Sequence, residues 1–399
     1  MLAKKIENLK PSLTLELTEK ISILRKEGKD VIALNVGEPD FPTPKHISEK
    51  AKEAIDKHMT KYTAAAGIVE LRQAICRKLE KDNLVQYTPE EICVGTGAKQ
   101  PLLNAILALC EEGDEVIIPV PCWFSYIEMV KMVGAVPIVI QNKESEGFAL
   151  NLKEVEKAIS PKTKAILINT PNNPTGAVYT KEVLTKLGEL ANKHNFYIIS
   201  DEVYEKLVYG DHEHFCVASV SEEVKSRTVV INGFSKAYAM TGWRVGYAAA
   251  PKEIIKGISA IQGHSTSNAC TISQIAALEA LQSSQDCVEE MRVAFDERRK
   301  FLQLRLRKMP DITCTEAEGA FYLMANVSRY YGMKWKESVI SNSYDMANYL
   351  LENAHIAVAP GGAFGADDHI RIAYANSLEN LEIGMNRMEE ALKNLYKED

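Results

Sequence analysis

Residues 164–204 read KAILINTPNNPTGAVYTKEVLTKLGELANKHNFYIISDEVY and contain two apolar, β-branched runs separated by one helical pattern. The two runs are KAILINT (164–170) and NFYIISD (195–201), and TKEVLTKLGELANKHN (180–195) lies between them. Continuous apolar strands that alternate with helices are typical of a parallel sheet covered on both faces. This stretch therefore predicts an α/β fold.

Four further strand candidates extend this pattern along the chain. They are EICVGTG (91–97), DEVIIPV (114–120), VPIVI (136–140) and RTVVING (227–233). Helical patterns such as KQPLLNAILALCEEG (99–113) lie between several of them. Parallel strands need such crossover connections, so we expect a mostly parallel sheet.

The pattern changes after about residue 275. Residues 284–309 read as one long amphipathic helix, and the strand-like runs of a smaller α+β region follow it. The start of the chain contains one helical pattern and then an irregular segment rich in Pro and Gly. We therefore expect a large α/β domain over residues 46–280 and a small α+β domain built from residues 1–45 and 281–399.

The overall composition is that of an ordinary soluble globular protein. The 399 residues are 46% apolar and 25% charged, and 47 basic against 54 acidic side chains give a net charge of −7. This mild acidity argues against nucleic acid as the main partner. No run of eighteen apolar residues occurs and the N-terminus lacks the features of a signal peptide, so we expect no membrane association.

Cysteine and histidine usage indicates a reducing compartment and no metal. The eight cysteines are scattered through apolar runs without a C-x-x-C pair, which predicts reduced core thiols and a cytoplasmic protein. The eight histidines lack the spacing of a metal site. The two histidines of DHEHF (211–215) are interpreted as solvated loop residues.

Polar residues follow several strand candidates, at the sheet edge where open α/β folds bind ligands. The turn that ends residues 91–97 opens a helix, so its backbone N–H groups form either an anion site or a plain tight turn. The two asparagines after residues 164–170 offer amides to a ligand, or they belong to a Pro-Gly turn. Asp201, with Tyr204 three residues later, either meets a cation or caps a helix.

Lys236 ends the run RTVVINGFSK (227–236) among small and apolar residues. A lysine confined in a pocket can lose its proton and act as a nucleophile or base, whereas a surface lysine is the simpler alternative. A phosphate-binding turn, an amide, a carboxylate and a lysine at one sheet edge are the groups that pyridoxal phosphate (PLP) requires. Their joint occurrence indicates a PLP site.

Taken together, the motifs strongly resemble those of the class I (fold-type I) aminotransferases. In the family's order and spacing the chain contains NVGEPDFPTP (35–44), KYTAAAG (61–67), NTPNNPTGAVY (169–179), SDEVYEKLVY (200–209), GFSKAYAMTGWRVGY (233–247) and HIRIAYA (369–375). The resemblance covers nearly the whole chain and is strongest to the bacterial and archaeal aspartate aminotransferase branch. It implies the fold-type I architecture, with a seven-stranded-type sheet in the large domain, and PLP as cofactor.

The resemblance also implies roles for residues around the cofactor ring. Lys236 would hold PLP as an internal aldimine and shuttle the proton of the substrate Cα, first as base and then as acid. Asp201 would pair with the protonated ring nitrogen, so that the ring can take up electrons. Asn173 and Tyr204 would bond the phenolic oxygen, and Trp123 would stack on the ring. Lys236, Asp201 and Tyr204 are the expected catalytic residues.

A second set of residues would bind the cofactor phosphate. By resemblance, Arg244 and the backbone of Gly97, Ala98 and Lys99 hold it, together with Ser235. Many family members carry a second hydroxyl three residues before the lysine, where this chain has Gly233. The resemblance therefore implies one hydroxyl contact to the phosphate fewer than in those members.

The remaining roles concern the substrate and a partner subunit. Arg371 would fork onto the α-carboxylate, because a guanidinium matches a carboxylate in bidentate fashion. Gly37, Trp123 and Asn173 would line the substrate site. Tyr62 would reach the phosphate of a partner subunit, so we expect a homodimer with active sites shared across the interface.

The resemblance implies a PLP-dependent aminotransferase that moves an amino group from L-aspartate or glutamate to a 2-oxo acid such as 2-oxoglutarate, by ping-pong transamination. Lys99 would select the distal carboxylate, unless it is solvated or faces the phosphate. The alternatives are an aminotransferase for aromatic acids or prephenate, a PLP β-lyase and, least favoured, a cofactor-sensing regulator domain. The last lacks a basic recognition helix in this sequence.

Overall fold

The computed structural model describes residues 13–397. The described chain begins with α1 (Leu13–Lys26) and the short strand β1 (Ile32–Ala33), and it then builds a seven-stranded sheet. The strands of this sheet are β2 (Ile92–Thr96), β3 (Glu115–Val120), β4 (Val136–Gln141), β5 (Thr163–Asn169), β6 (Tyr197–Asp201), β7 (Thr228–Gly233) and β8 (Val245–Ala249). Their spatial order is β2-β8-β7-β6-β5-β3-β4.

Six of the seven strands run in one direction. The pairs β4–β3, β3–β5, β5–β6 and β6–β7 are parallel, while β8 is antiparallel to both of its neighbours, β2 and β7. The prediction of a mostly parallel sheet is confirmed, and all six strand candidates form strands. The antiparallel β8 was not among those candidates.

Helices cover both faces of this sheet. They are α2 (Lys45–Asp56), α3 (Val69–Asn83), α4 (Lys99–Leu109), α5 (Ser125–Met132), α6 (Leu152–Ala158), α7 (Lys181–His194), α8 (Glu222–Lys225), α9 (Lys252–Ser265) and α10 (Thr271–Gln282). Alternate residues of one strand enter different apolar clusters: Val116 packs in one and Ile117 in another. Burial on both faces explains why these strands read as continuous apolar runs.

A second, smaller sheet follows the long helix α11 (Asp286–Lys308), which forms where residues 284–309 predicted it. The remaining strands are β9 (Thr313–Cys314), β10 (Tyr322–Asn326), β11 (Lys334–Trp335), β12 (Ser338–Val339), β13 (Ile356–Ala357), β14 (Ala359–Pro360) and β15 (His369–Ala373). The last helices are α12 (Ser343–Ala354) and α13 (Leu378–Lys393), and short 3₁₀ turns span Pro89–Glu91, Glu144–Glu146, Val217–Ser219, Ser328–Tyr330 and Gly361–Phe364.

The smaller sheet is antiparallel and has the order β14-β15-β10-β9. Beside it, β1 near the start of the described chain pairs in parallel with β13 near its end. This pairing joins an early and a late segment of the described chain, while the exact division into domains at residues 45 and 280 stays a prediction.

The described residues add two observations to the composition. All eight cysteines are free thiols, but only four of them are buried, and the expected core position is wrong for the exposed Cys270. None of the described helices combines the length and the apolar character that crossing a bilayer requires.

Candidate active site

A cavity of about 430 Å³ lies at the carboxyl ends of β5, β6 and β7, where the large sheet faces β10 and β15 of the smaller one. Most of the residues singled out from the sequence line this cavity. They are Gly37, Ala98, Lys99, Trp123, Asn173, Asp201, Tyr204, Ser235, Lys236, Arg244 and Arg371. The sheet edge thus gathers residues that are more than 300 positions apart in the chain.

Asp201 ends β6 and is buried at the floor of the cavity. Its carboxylate accepts a hydrogen bond of 2.8 Å from the Tyr126 hydroxyl and one of 3.3 Å from the Val203 amide. Burial raises the pKa of this carboxyl to about 6, and the two hydrogen bonds oppose that rise. Turns rather than a helix follow Asp201, so the helix-capping alternative is wrong. A buried carboxylate of this kind calls for a cationic partner.

Lys236 projects into the same cavity from the turn after β7. Its Nζ donates a 2.5 Å hydrogen bond to the Gly37 carbonyl and lies 5.8 Å from the centre of the Tyr204 ring. Burial lowers the pKa of the ammonium to about 8; the nearby Glu38 counteracts burial and Arg371 adds to it. A lysine whose ammonium form is disfavoured by burial loses its proton more readily, which suits a nucleophile or base.

A tight glycine turn lies between β2 and α4. Gly97 has φ +65°, and a Cβ atom there would lie 2.5 Å from Nη2 of Arg244. Gly246 of β8 packs equally closely, since a Cβ on it would lie 2.5 Å from the Ala98 nitrogen. The start of an 11-residue helix and a guanidinium therefore meet at one point, which suits a phosphate group.

Close packing between β7 and β8 explains why position 233 is a glycine. It pairs with Gly246 across β7 and β8, and a Cβ atom at position 233 would lie 3.1 Å from the Gly246 Cα. A serine there would crowd β8. Ser235 still lines the cavity and is available to an anion.

Arg371 of β15 is buried opposite the large sheet. It donates to the Asn173 side-chain oxygen at 2.9 Å and to the Asn35 carbonyl at 2.6 Å, while its Nε has no partner. The rings of Tyr322 and Phe364 flank the guanidinium at 4.4 and 4.8 Å. No ion pair of the described residues includes Arg371, so this buried cation is available to a carboxylate.

Lys99 and Trp123 form the opposite wall. The Lys99 ammonium lies 4.5 Å from the centre of the Trp123 ring, and that ring packs edge-on against Tyr126 at 5.4 Å. Burial, followed by the charge of Arg244, lowers the pKa of Lys99. Four cationic side chains therefore line the cavity, Lys99, Lys236, Arg244 and Arg371, and the exposed Lys99 is close enough to Arg244 to feel its charge.

Several cavity residues were missed by sequence reasoning. Tyr126 holds Asp201, and Tyr322 bonds the Tyr204 hydroxyl at 2.9 Å. The side-chain oxygen of Asn169 accepts a 2.8 Å hydrogen bond from the backbone N–H of Asn173, which fixes the turn after β5. Tyr126 lies in the first turn of α5, whereas Trp123 precedes that helix, so no helical spacing in the sequence linked the two.

Two further residues lie away from the cavity. Tyr62 is 90% exposed and does not line it, so its predicted role depends on a partner subunit. The interpretation of His214 as a solvated residue is wrong: its side chain is only 8% exposed and lies 2.9 Å from Glu202. Glu205 completes this cluster, and the Lys78 ammonium pairs with it, which supplies the positive charge that the two buried carboxylates need.

Sequence comparisons with known proteins relate this chain to aminotransferases. The family model described as "Aminotransferase class I and II" matches residues 29–388. The chain is 44% identical to the aspartate aminotransferase of Geobacillus stearothermophilus, covering 97% of this chain and 98% of that protein. It is 45% identical to the probable aspartate/prephenate aminotransferase of Aquifex aeolicus, with 99% of each covered.

Solved structures give the same result for the fold. The aspartate aminotransferase of Rhizobium meliloti superposes with a TM-score of 0.96 at 39% identity, covering 99% of this chain and 100% of that one. The Thermus thermophilus aspartate aminotransferase with maleate gives a TM-score of 0.92 at 42% identity, covering 98% and 99%.

Proposed function

Because the chain belongs to the class I and II aminotransferase family, we propose that it binds PLP in this cavity and transfers the amino group of L-aspartate or glutamate to a 2-oxo acid. The observation that carries the proposal is the placement of Lys236, Asp201 and the glycine turn before α4 around one cavity. When bound, PLP supplies an aldehyde that condenses with amines and a ring that withdraws electrons from the amino-bearing carbon.

The cavity residues fit the chemical groups of PLP. Asp201 is a buried carboxylate that needs a cation, which the ring nitrogen provides. The side-chain oxygen of Asn173 accepts a hydrogen bond from Arg371. Its side-chain nitrogen is therefore left to donate to the phenolic oxygen, beside the Tyr204 hydroxyl. Trp123 offers a ring face for stacking.

The phosphate would sit at the start of α4. The backbone of Gly97, Ala98 and Lys99 would contribute N–H groups there, and Ser235 and Arg244 would contribute side chains. Gly97 lies beside Arg244 but, unlike the other four residues, does not line the cavity. These contacts hold the cofactor in place while Lys236 moves a proton at its Nζ between the substrate carbon and the cofactor.

Substrate selection would depend on two of the cations that line the cavity, Arg371 and Lys99. Arg371 offers a guanidinium to the α-carboxylate, and Asn173, Gly37 and Trp123 surround the same space. Lys99 would attract the second, distal carboxylate of aspartate or glutamate. Relatives named aspartate aminotransferase support this choice. Prephenate is the second candidate substrate, because relatives of equal similarity are named aspartate/prephenate aminotransferases.

The working unit would be a homodimer in the cytoplasm. Tyr62 is 90% exposed, and Ile55 and Met59 nearby in the chain are 52% and 45% exposed, which leaves an apolar surface for a second copy. In mixed dimers of Lys236→Ala and Tyr62→Ala subunits, one site would regain both residues. Activity well above that of either variant alone is expected, and its absence would refute the sharing of sites.

The central experiment is a half-reaction. Protein reconstituted with PLP should be yellow, and aspartate or glutamate alone should bleach it and release one equivalent of the matching 2-oxo acid. Lys236→Ala should fold and lose turnover. Protein that stays colourless with PLP would refute the cofactor assignment, and bleaching by prephenate-derived or aromatic donors without any by aspartate would refute the substrate assignment.

A further inference from the structure

The hydroxyl of Tyr322 occupies a junction that the proposed chemistry does not yet use. Tyr322 and Tyr204 are both buried, and their hydroxyl oxygens are 2.9 Å apart. A Cβ atom on Gly37 would lie 2.7 Å from the same Tyr322 oxygen, so the hydroxyl rests against the backbone whose carbonyl accepts from Lys236. Tyr322 thus touches two groups that surround the reactive lysine.

The hydrogen bond between the Tyr204 and Tyr322 hydroxyls has a defined direction once the cofactor is bound. A phenol has one proton to donate, and in the proposed function Tyr204 donates it to the phenolic oxygen of PLP. The oxygen of Tyr204 must then accept the bond from Tyr322. Burial raises the pKa of both hydroxyls, and the nearby Arg371 opposes that rise at each of them. The proton of Tyr322 then goes to the Tyr204 oxygen 2.9 Å away, which makes Tyr322 the donor of this bond.

We propose that Tyr322 is a positioning residue whose hydroxyl donates to Tyr204 and thereby aims the Tyr204 hydroxyl at the phenolic oxygen of the cofactor. The proposal rests on the proposed function, since it needs PLP in the cavity. A hydroxyl that accepts a hydrogen bond becomes a stronger donor in turn. Tyr204 then bonds the phenolic oxygen more strongly, and the proton at Lys236 Nζ competes for the same oxygen. The Lys236 Nζ proton is therefore lost at a lower pH.

The test is a pH titration of the visible absorption of the PLP-loaded protein. Tyr322→Phe keeps the ring that supports Arg371 and removes only the hydroxyl. The absorption midpoint is expected to rise by about half a pH unit. In a Tyr204→Phe background the same substitution should cause no further shift, because Tyr322 acts through Tyr204. The KM for aspartate should stay within about twofold, since the ring remains.

A matched control is available in the same part of the fold. Tyr349 is also buried and donates its hydroxyl to a backbone carbonyl at 2.6 Å, away from the cavity. Tyr349→Phe should leave the midpoint unchanged. An unchanged midpoint in Tyr322→Phe, or equal shifts with and without Tyr204, would overturn the proposal. A wild-type protein that takes up no PLP would instead refute the proposed function, and the role of Tyr322 with it.

Discussion

Replacing Lys236 with methionine should stabilise the cofactor-free protein at neutral pH even as it abolishes transamination. The reason is the position of the ammonium. Lys236 lies against the rings of Tyr204 and Phe321, 5.8 and 5.6 Å from their centres, and its Nζ has one carbonyl partner, that of Gly37. Water would solvate the charged group better than this cavity does.

The magnitude follows from the pKa. Burial lowers the pKa of Lys236 from 10.5 to about 8. At roughly 1.4 kcal/mol per pH unit, the charged form costs the folded state about 3 kcal/mol. Methionine has a similar length and no charge, but it gives up the hydrogen bond to Gly37, which is worth about 1 kcal/mol. The expected net gain in the free energy of unfolding is about 2 kcal/mol.

The sign of the pH dependence is fixed by the same values. Below about pH 8 both folded and unfolded lysine are protonated, and the folded state carries the full cost. Between about 8 and 10.5 the folded lysine loses its proton first, so the cost shrinks as the pH rises. The advantage of Lys236→Met should therefore be largest at pH 7 and disappear by about pH 10.5.

Urea unfolding of PLP-free protein, followed by tryptophan fluorescence at several pH values, measures this difference. The exposed Lys153 provides the control, and Lys153→Met should change stability little at any pH. If Lys236→Met destabilised the cofactor-free protein at pH 7, or if its advantage were independent of pH, the reasoning from a desolvated ammonium would be wrong.

Two substitutions test the substrate contacts. Arg371→Lys should raise the KM for aspartate by about tenfold or more, because an ammonium cannot make the forked contact of a guanidinium; steady-state kinetics measures this, and an unchanged KM would contradict the role. Lys99→Met should lower kcat/KM for aspartate by about tenfold or more while leaving that for phenylalanine nearly unchanged, and equal losses for both donors would show that Lys99 serves the phosphate instead.

The sequence predicted most of the large sheet because its strands, apart from the largely exposed edge strand β4, are buried on both faces and read as unbroken apolar runs. The exception is β8, Val245–Ala249, which lies between two other strands and yet was not recognised. Its residues include Gly246 and three small side chains in or next to the strand, a composition with low β propensity. The small residues are required by packing, since a Cβ on Gly246 would meet the turn at Ala98. That requirement comes from a distant segment and leaves no local signal.

The residues of the candidate site were likewise only partly predicted from the sequence. Charged residues after strands, such as Asp201 and Lys236, stand out because charge is costly in a core, and the family resemblance that they helped to reveal is confirmed. Tyr126 and Tyr322 do not stand out, because a buried tyrosine is an ordinary core residue until the register of its strand or helix places its hydroxyl. The prediction for His214 was wrong for the opposite reason. Its polar neighbours in the sequence indicated a solvent-exposed residue, but the loop folds its side chain against Glu202.

The turn at Gly97 offers a test of cofactor binding that leaves the catalytic groups untouched. Gly97→Ala places a methyl group 2.5 Å from Arg244 Nη2 in a backbone with φ +65°. The Arg244 side chain is exposed and can swing away, so the protein should fold with a loss of about 1 kcal/mol from the backbone. A displaced guanidinium loses a charge-assisted bond to phosphate, which should weaken PLP binding by roughly tenfold or more.

Gly246→Ala is the contrasting variant, because its methyl group would meet backbone atoms, the Ala98 nitrogen at 2.5 Å and the Gly97 carbonyl carbon at 2.7 Å. Backbone cannot swing away, so this substitution should cost more stability than Gly97→Ala. Equilibrium titration of each apoprotein with PLP, beside thermal unfolding, separates the two effects. Tight PLP binding by Gly97→Ala would show that the phosphate does not lie between this turn and Arg244, since the substitution alters the structure only there.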